Sequence, residues 1–401
     1  MSDRLCILKD AALRFGGIFL QLDRMANRAT AALLKAGVHA GDRVTLLHPG
    51  DYRWIAFACA VWRVGAALVP LNPRVPSTEP RIEDLTPFFA FEEESSLERV
   101  SLSSPALFLK TSGSTSKPKE IALTLGNLIA SAEPAIIHLD LRQGDRWLLA
   151  LPLHHVGGIG VIIRCLLAGA QLVFDPNEAT HISYVPTQLY RTLHSPIPSS
   201  LRVMLMGGAA LSCPLYSEAV RLGWPLHVSY GLTEMSSLVL CTKHPLWKDG
   251  SCYLGEPLPN REMKLAPDGE ILMRGPCLSV PDNWFHTRDI GSWCAEGGFA
   301  IVGRKDWQFI SGGENIQPEE IEQELQRFPE IEEAIIVPQS DLEFGHRPIL
   351  FAKTSLPLSE IQIRLKTRLP SYKIPIALHP LPNLPDGVMK RDRRSLILSL
   401  K

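Results

Sequence analysis

Residues 106–119 read ALFLKTSGSTSKPK, an apolar run followed by nine positions, 111–119, that hold five hydroxyl side chains, one glycine and two lysines. A short apolar run bounded by turn formers reads as a buried strand. The loop after it can surround phosphate oxygens with backbone N–H groups, hydroxyl donors and a mobile ammonium. It is not a Walker A loop, which needs Gly-x4-Gly-Lys-Ser/Thr, because Gly113 stands alone among the hydroxyls. Two more strand ends lead into small or polar residues. Gly207-Gly208-Ala209-Ala210 follows the strand expected at 202–206, and Ser229-Tyr230-Gly231-Leu232-Thr233-Glu234 closes the strand expected at 226–229. Ligands of open α/β sheets sit beyond the carboxyl ends of the strands, so three such loops can converge on one nucleotide.

The chain on either side of these loops alternates helical and strand patterns, the rhythm of βαβ units. Helices are expected at 20–36, 51–64 and 158–168, and strands at 43–47, 66–70, 106–109, 147–151 and 171–174. The stretch 54–71 is the best membrane candidate, but Arg63 lies in its middle, Asp51 reads as a helix N-cap and Gly65 as a C-terminal stop. It is expected to be a buried helix running into a strand and not a membrane span. Short β segments with Gly and Pro turns fill 250–301. Beyond Gly303 the pattern is helix 318–327, strand 333–337, strand 348–353 and helix 358–368. The fold class is therefore α/β: a large domain over 1–304 and a smaller α+β domain over 305–401.

Composition limits the function. Lys plus Arg is 41 and Asp plus Glu is 42, a formal net charge of −1, so no global field exists to hold nucleic acid or an anionic membrane. Hydrophobic content of 45% and charged content of 21% match a folded globular protein. The eight cysteines form no CxxC pair and have no His pair at finger spacing, which argues against a zinc site. With no secretory pattern in the first residues, these unpatterned thiols point to a reducing cytoplasm.

Single residues in and after the loops have chemistry that suits a nucleotide. The Tyr230 ring can stack on a base, Glu234 offers a hard oxygen ligand for Mg²⁺, and a carboxylate such as Asp289 can accept from both ribose hydroxyls. The segments TSGSTSKPK (111–119), PLHHVGG (152–158), YGLTE (230–234), GEILMRG (269–275), TRDIG (287–291) and GRKDWQFISGGENIQPEEIE (303–322) together resemble the adenylate-forming acyl-CoA ligase family. The likeness runs from about residue 17 to residue 396. A narrower likeness, to the branch that activates 2-succinylbenzoate for menaquinone biosynthesis, rests on HVGGIGVIIRCLLAGA (155–170), YVPTQLYRTL (184–193), GGENIQPEEIE (312–322) and FGHRP (344–348).

The resemblance implies ATP, Mg²⁺ and CoA as reaction partners and two half-reactions at one site. It places ATP or AMP on Thr111, Ser112, Gly113, Ser114, Thr115, Lys119, Gly208, Ala209, Ser229, Tyr230, Gly231, Thr233, Asp289 and Arg304, with Glu234 on the metal. Lys390, three residues before Arg393 and six before Leu396, takes the place of the adenylation lysine. Thr115, Glu234 and His155 join it as catalytic candidates. The acid falls to Arg164, Ser183 and His155. Arg164 stands in the apolar run 161–167, where an arginine needs a partner, and a second carboxylate on the acid would be one. Gly312 and Gly313 would line the CoA tunnel, and Lys305-Asp306 would be the hinge of a mobile C-terminal domain. His154 and Leu238 depart from the branch's pattern. Another aryl or medium-chain acid, or adenylation without CoA, therefore stays open at this point, as does a homo-oligomer.

Overall fold

The computed structural model describes residues 4–5, 17–75, 78–111, 119–248, 251–280, 284–295, 297–383 and 393–400. Helix α1 (Ile18–Lys35) turns Phe19, Leu22, Ala26, Ala29 and Leu33 inward, the three- and four-residue spacing of an amphipathic helix. β1 (Arg43–Leu46), α2 (Tyr52–Val64) and β2 (Ala67–Pro70) form a βαβ unit, with Val44 opposite Leu68 in the parallel pair. The Asp51 side chain accepts from the backbone N–H groups of Arg53 and Trp54 at the start of α2, and Gly65 ends it at φ 85°. Most of α2 is buried. Its Arg63 donates to Asp23 and Asn27 of α1, so the charge within it is paired. Among the described residues no helix is long and apolar enough to cross a membrane.

β3 (Pro105–Thr111) runs parallel to β2 and antiparallel to β4 (Lys119–Thr124), closing the first sheet in the order β1-β2-β3-β4. The hydroxyl-rich loop therefore connects the two strands of an antiparallel pair, with Thr111 opposite Lys119. α3 (Leu125–His138), which the sequence reading does not single out, starts on a capping box between Thr124 and Asn127.

The second sheet is built from β5 (Arg146–Leu148), β6 (Gln171–Val173), β7 (His181–Tyr184), β8 (Val203–Met206), β9 (Leu226–Leu232) and β10 (Ser237–Thr242), in the order β10-β9-β8-β7-β5-β6. Its pairs are parallel except the one made by edge strand β10. α4 (Val156–Ala168), α5 (Pro186–Thr192) and α6 (Cys213–Arg221) lie in its connections. β5 stops short of the expected strand 147–151. Pro152, which has no backbone donor, leads the chain into α4, whose cap residue is His155.

A third, antiparallel sheet accounts for the texture of 250–301. It comprises β11 (Leu246–Lys248), β12 (Ser251–Tyr253), β13 (Glu262–Leu265), β14 (Glu270–Arg274), β15 (Phe285–Trp293) and β16 (Phe299–Arg304), ordered β11-β12-β16-β15-β14-β13. After it come β17 (Phe309–Ser311), β18 (Glu314–Ile316), α7 (Pro318–Leu325), β19 (Ile331–Asp341), β20 (Gly345–Thr354), α8 (Leu358–Lys366), β21 (Ala377–Pro380) and α9 (Arg393–Leu398). The expected helix–strand–strand–helix pattern is present, with further strands added. β17 and β18 form a hairpin whose turn residues, Gly312 and Gly313, have φ of 58° and 86°, the left-handed values that a type I′ turn requires at both positions. β21 joins β20 in parallel. Ile316, Ile321, Leu325, Ile336 and Leu350 belong to a buried cluster drawn from Phe309 onward.

Candidate active site

The carboxyl end of β8 is tied to the middle of β9, because the Ser229 hydroxyl donates to the Met206 carbonyl at 2.7 Å. Glycine is required at the crossing of β9 and β10, where a Cβ on Gly231 would lie 1.9 Å from the Ser237 carbonyl oxygen. After Gly231 the chain makes a tight helical turn at Thr233–Met235, and Ser236 and Ser237 take φ of 54° and 101°. Non-glycine residues hold such angles only where their surroundings compel them. Here Ser236 Oγ donates to the Cys277 carbonyl at 2.8 Å, and the Ser279 N–H donates to the Glu234 carbonyl at 2.7 Å. The turn presents Glu234 half-buried, and its carboxylate has no hydrogen-bond or ion-pair partner among the described residues. Such a free hard oxygen fits a magnesium ion.

Tyr230, Asp289 and Arg304 form one connected group. The Tyr230 phenol donates to Asp289 Oδ2 at 2.5 Å, and Arg304 Nη1 donates to Asp289 Oδ1 at 2.8 Å. The Asp289 backbone N–H donates to Thr287 Oγ1 at 3.1 Å. Burial, and after it the Asp289 charge, raises the Tyr230 phenol well above its ordinary value, so it remains a donor. Each carboxylate oxygen has more than one acceptor position, which leaves Asp289 capacity for further donors. Arg304 continues to Asp306 at 3.1 Å, and Asp306 also takes Arg288 at 2.7 Å. Burial alone would raise the Asp306 carboxyl, but the Arg288 and Arg304 guanidiniums outweigh it and hold it below its usual range. The neighbouring Lys305 bonds Asp268 at 2.5 Å and Glu270 at 2.8 Å.

Of the hydroxyl-rich loop, Ser112, Gly113, Ser114 and Thr115 lie outside the described residues, as does Lys390. The loop's two ends are held together, with Thr111 Oγ1 donating to the Lys119 carbonyl at 3.2 Å. Lys119 Nζ stands 5.8 Å from the centre of the Phe285 ring. Gly208, at φ 77°, and Ala209 are exposed beyond the end of β8.

A second cluster surrounds Arg164 on α4, which is 2% exposed. Its guanidinium lies over the Trp147 ring at 4.8 Å, a cation–π contact, and Trp147 Nε1 donates to Ser183 Oγ at 3.1 Å. A Cβ on Gly160 would come within 3.3 Å of Arg164 Nη1 and 3.5 Å of Ser237 Oγ, so glycine leaves the guanidinium its place. No carboxylate lies within ion-pair distance of Arg164 among the described residues, and its Nε has no hydrogen-bond partner there. Burial pulls the group down to about 10, which still leaves it a cation at neutral pH. Trp147, Gly160 and Ser237 are not among the sequence candidates. Leu238, the departure noted in the sequence, is buried in the core.

His155 caps α4 without a side-chain bond to it, and its ring lies 4.4 Å from that of His154. Burial first, then His155, lowers His154 to about 4. Gly312 and Gly313 occupy the tip of the β17–β18 hairpin, and the Gly312 N–H donates to the Phe344 carbonyl at 2.9 Å. No hydrogen bond among the described residues joins that tip to Tyr230, Asp289 or Arg164. Thus the structure bonds Tyr230 and Arg304 to Asp289, sets Arg164 and Ser183 each against Trp147, and bonds the hairpin tip to neither group.

The family model described as AMP-binding enzyme matches residues 11–86 and 80–280, and the chain belongs to that family. Among similar proteins, the 2-succinylbenzoate–CoA ligase of Haemophilus influenzae is 32% identical, over 94% of this chain and 91% of that protein. The o-succinylbenzoate CoA synthetase of Bacillus subtilis, solved in complex with the acyl-adenylate intermediate OSB-AMP, superposes with a TM-score of 0.85 at 26% identity, covering 99% of this chain and 98% of that one. The same Bacillus subtilis enzyme in complex with ATP and magnesium ion gives a TM-score of 0.83 at 25% identity, over 98% of this chain and 100% of that one.

Proposed function

We propose that this chain is an AMP-forming acid–CoA ligase that activates 2-succinylbenzoate. In the first half-reaction a carboxylate oxygen of the acid attacks the α-phosphorus of ATP and pyrophosphate leaves. In the second the CoA thiol attacks the acyl carbon, AMP leaves and the thiol proton passes to solvent. The observation that carries the choice of acid is Arg164, a buried cation with no carboxylate partner among the described residues. An isolated buried charge is expensive, and 2-succinylbenzoate has a second carboxylate to pair with it. Ser183, held by Trp147 Nε1, is the neighbouring donor for the same group.

Asp289 would receive the ribose hydroxyls, with Tyr230 and Arg304 fixing it, and the loop 111–119 would surround the phosphates with Lys119 at its end. Mg²⁺, held on Glu234, would neutralise phosphate charge. Lys390 would sit between the attacking carboxylate and the α-phosphate, where its ammonium offsets the charge that develops. The segment from 305 onward would then turn about Lys305-Asp306 and bring Gly312 and Gly313 to the site for the thiol arm. Glycine suits a close passage past backbone. The thiols Cys59, Cys165, Cys241 and Cys277 are free and buried, in keeping with a cytoplasmic setting.

Exchange of labelled pyrophosphate into ATP tests the order of steps. It should depend on 2-succinylbenzoate and proceed without CoA, and adding CoA should divert the acyl group into one thioester per AMP. Exchange with no consumption of CoA would instead make the chain an adenylating protein of another kind.

A further inference from the structure

Three side chains that the ligase chemistry does not use meet where α3 packs on the β9–β10 edge of the second sheet. His138 is the last residue of α3, His227 lies on β9 and Cys241 on β10. Cys241 stands opposite Ser229 in the antiparallel pair. Side chains alternate along a strand, so His227, two residues before Ser229, projects from the same face as Cys241. Ligand atoms of the three residues all lie within 4.8 Å of one another. The two imidazole rings are 6.3 Å apart and nearly perpendicular, at 87°.

The state of His227 favours a ligand over an ordinary packing role. His227 is 8% exposed, and its Nδ1 has no hydrogen-bond partner among the described residues. Buried polar atoms are normally bonded. Burial, followed by His138 and Lys243, lowers His227 to about 4, so its imidazole is neutral, the form that binds a metal. Cys241 is a free, buried thiol that burial pushes up to about 12, so it joins a metal only by giving up its proton as the metal–sulfur bond forms. His138 is exposed and opens the group to solvent.

We propose that His138, His227 and Cys241 form a site for a zinc-class ion, with a water as fourth ligand. Two imidazole nitrogens and one thiolate suit a borderline-soft ion, whereas Mg²⁺ prefers oxygen. Bond lengths of about 2.0 Å to nitrogen and about 2.3 Å to sulfur place these tetrahedral ligand atoms roughly 3.3–3.5 Å apart. The exposed His138 can make the inward shift of about an ångström by side-chain rotation. Binding breaks the Cys241 S–H bond, forms the metal–sulfur bond and releases one proton to solvent. Spacing along the chain could not disclose the site, because the three ligands come from a helix and two strands that only the fold brings together.

Cobalt(II) alone, titrated into the full chain after chelation and without Mg²⁺, tests the proposal. The wild type should take up one ion with a thiolate-to-cobalt charge-transfer band and the visible bands of a tetrahedral centre, and zinc should displace it. Cys241→Ser should lose the charge-transfer band. His138→Ala, at an exposed position that leaves the core intact, should bind cobalt at least tenfold more weakly. Absence of the charge-transfer band in the wild type, or unchanged affinity in His138→Ala, would overturn the site whether or not the cysteine variant folds.

Discussion

Lys390→Ala should lower the rate of adenylation about 10²–10³-fold, the loss that follows removal of one preorganised group from a developing charge. The same variant should convert supplied 2-succinylbenzoyl-adenylate and CoA to thioester at close to the wild-type rate, because the second half-reaction has no need of that ammonium. Lys390 itself lies outside the described residues, but the chain three residues on is anchored. Arg393 donates to the Ile336 carbonyl at 2.7 Å and pairs with Glu322 at 3.0 Å, which ties the segment to α7 and β19. The split between half-reactions is the diagnostic feature, since a variant that merely unfolded would lose both. Full-rate pyrophosphate exchange in Lys390→Ala would remove the assignment.

The other large effect is expected at Arg164. Truncating one member of a buried, hydrogen-bonded charge pair costs about 2–5 kcal/mol. Arg164→Ala should therefore raise the KM for 2-succinylbenzoate by at least about 30-fold, at about 1.4 kcal/mol per factor of ten, and leave the KM for ATP nearly unchanged. Arg164→Lys should recover only part of the loss, because a point charge does not reproduce a planar guanidinium lying over the Trp147 ring. Equal increases in both KM values would show that the residue supports the fold and does not hold the acid.

Local chemistry makes much of the architecture legible. Asp51 and Gly65 delimit α2 because capping is decided within a few residues, and the strand end at Met206 follows from an apolar run stopped by small residues, whereas β9 runs past the expected end at Ser229 to Leu232 because it pairs there with β10. What depends on pairing between distant segments is not written locally. The hydroxyl-rich loop is a hairpin connection because Lys119 returns opposite Thr111, a register set by the whole sheet. Gly312 and Gly313, taken by themselves, read better as an ordinary turn before α7, and only the pairing of β17 with β18 makes them a hairpin tip. Around Arg164, the parallel pairing of Trp147 with His181 brings Ser183 within reach of the indole, and neither Trp147 nor Gly160 announces that contact in sequence. Tyr230, Asp289 and Arg304 belong to recognisable segments, and in the fold Asp289 accepts from both of the others.

AMP release by the wild type, measured with ATP, Mg²⁺ and CoA against 2-succinylbenzoate, benzoate and octanoate, tests the central claim most directly. If Arg164 awaits a second carboxylate, kcat/KM for 2-succinylbenzoate should exceed the values for both monocarboxylates by at least about 30-fold, the equivalent of about 2 kcal/mol. Equal or faster turnover of benzoate or octanoate would contradict the account.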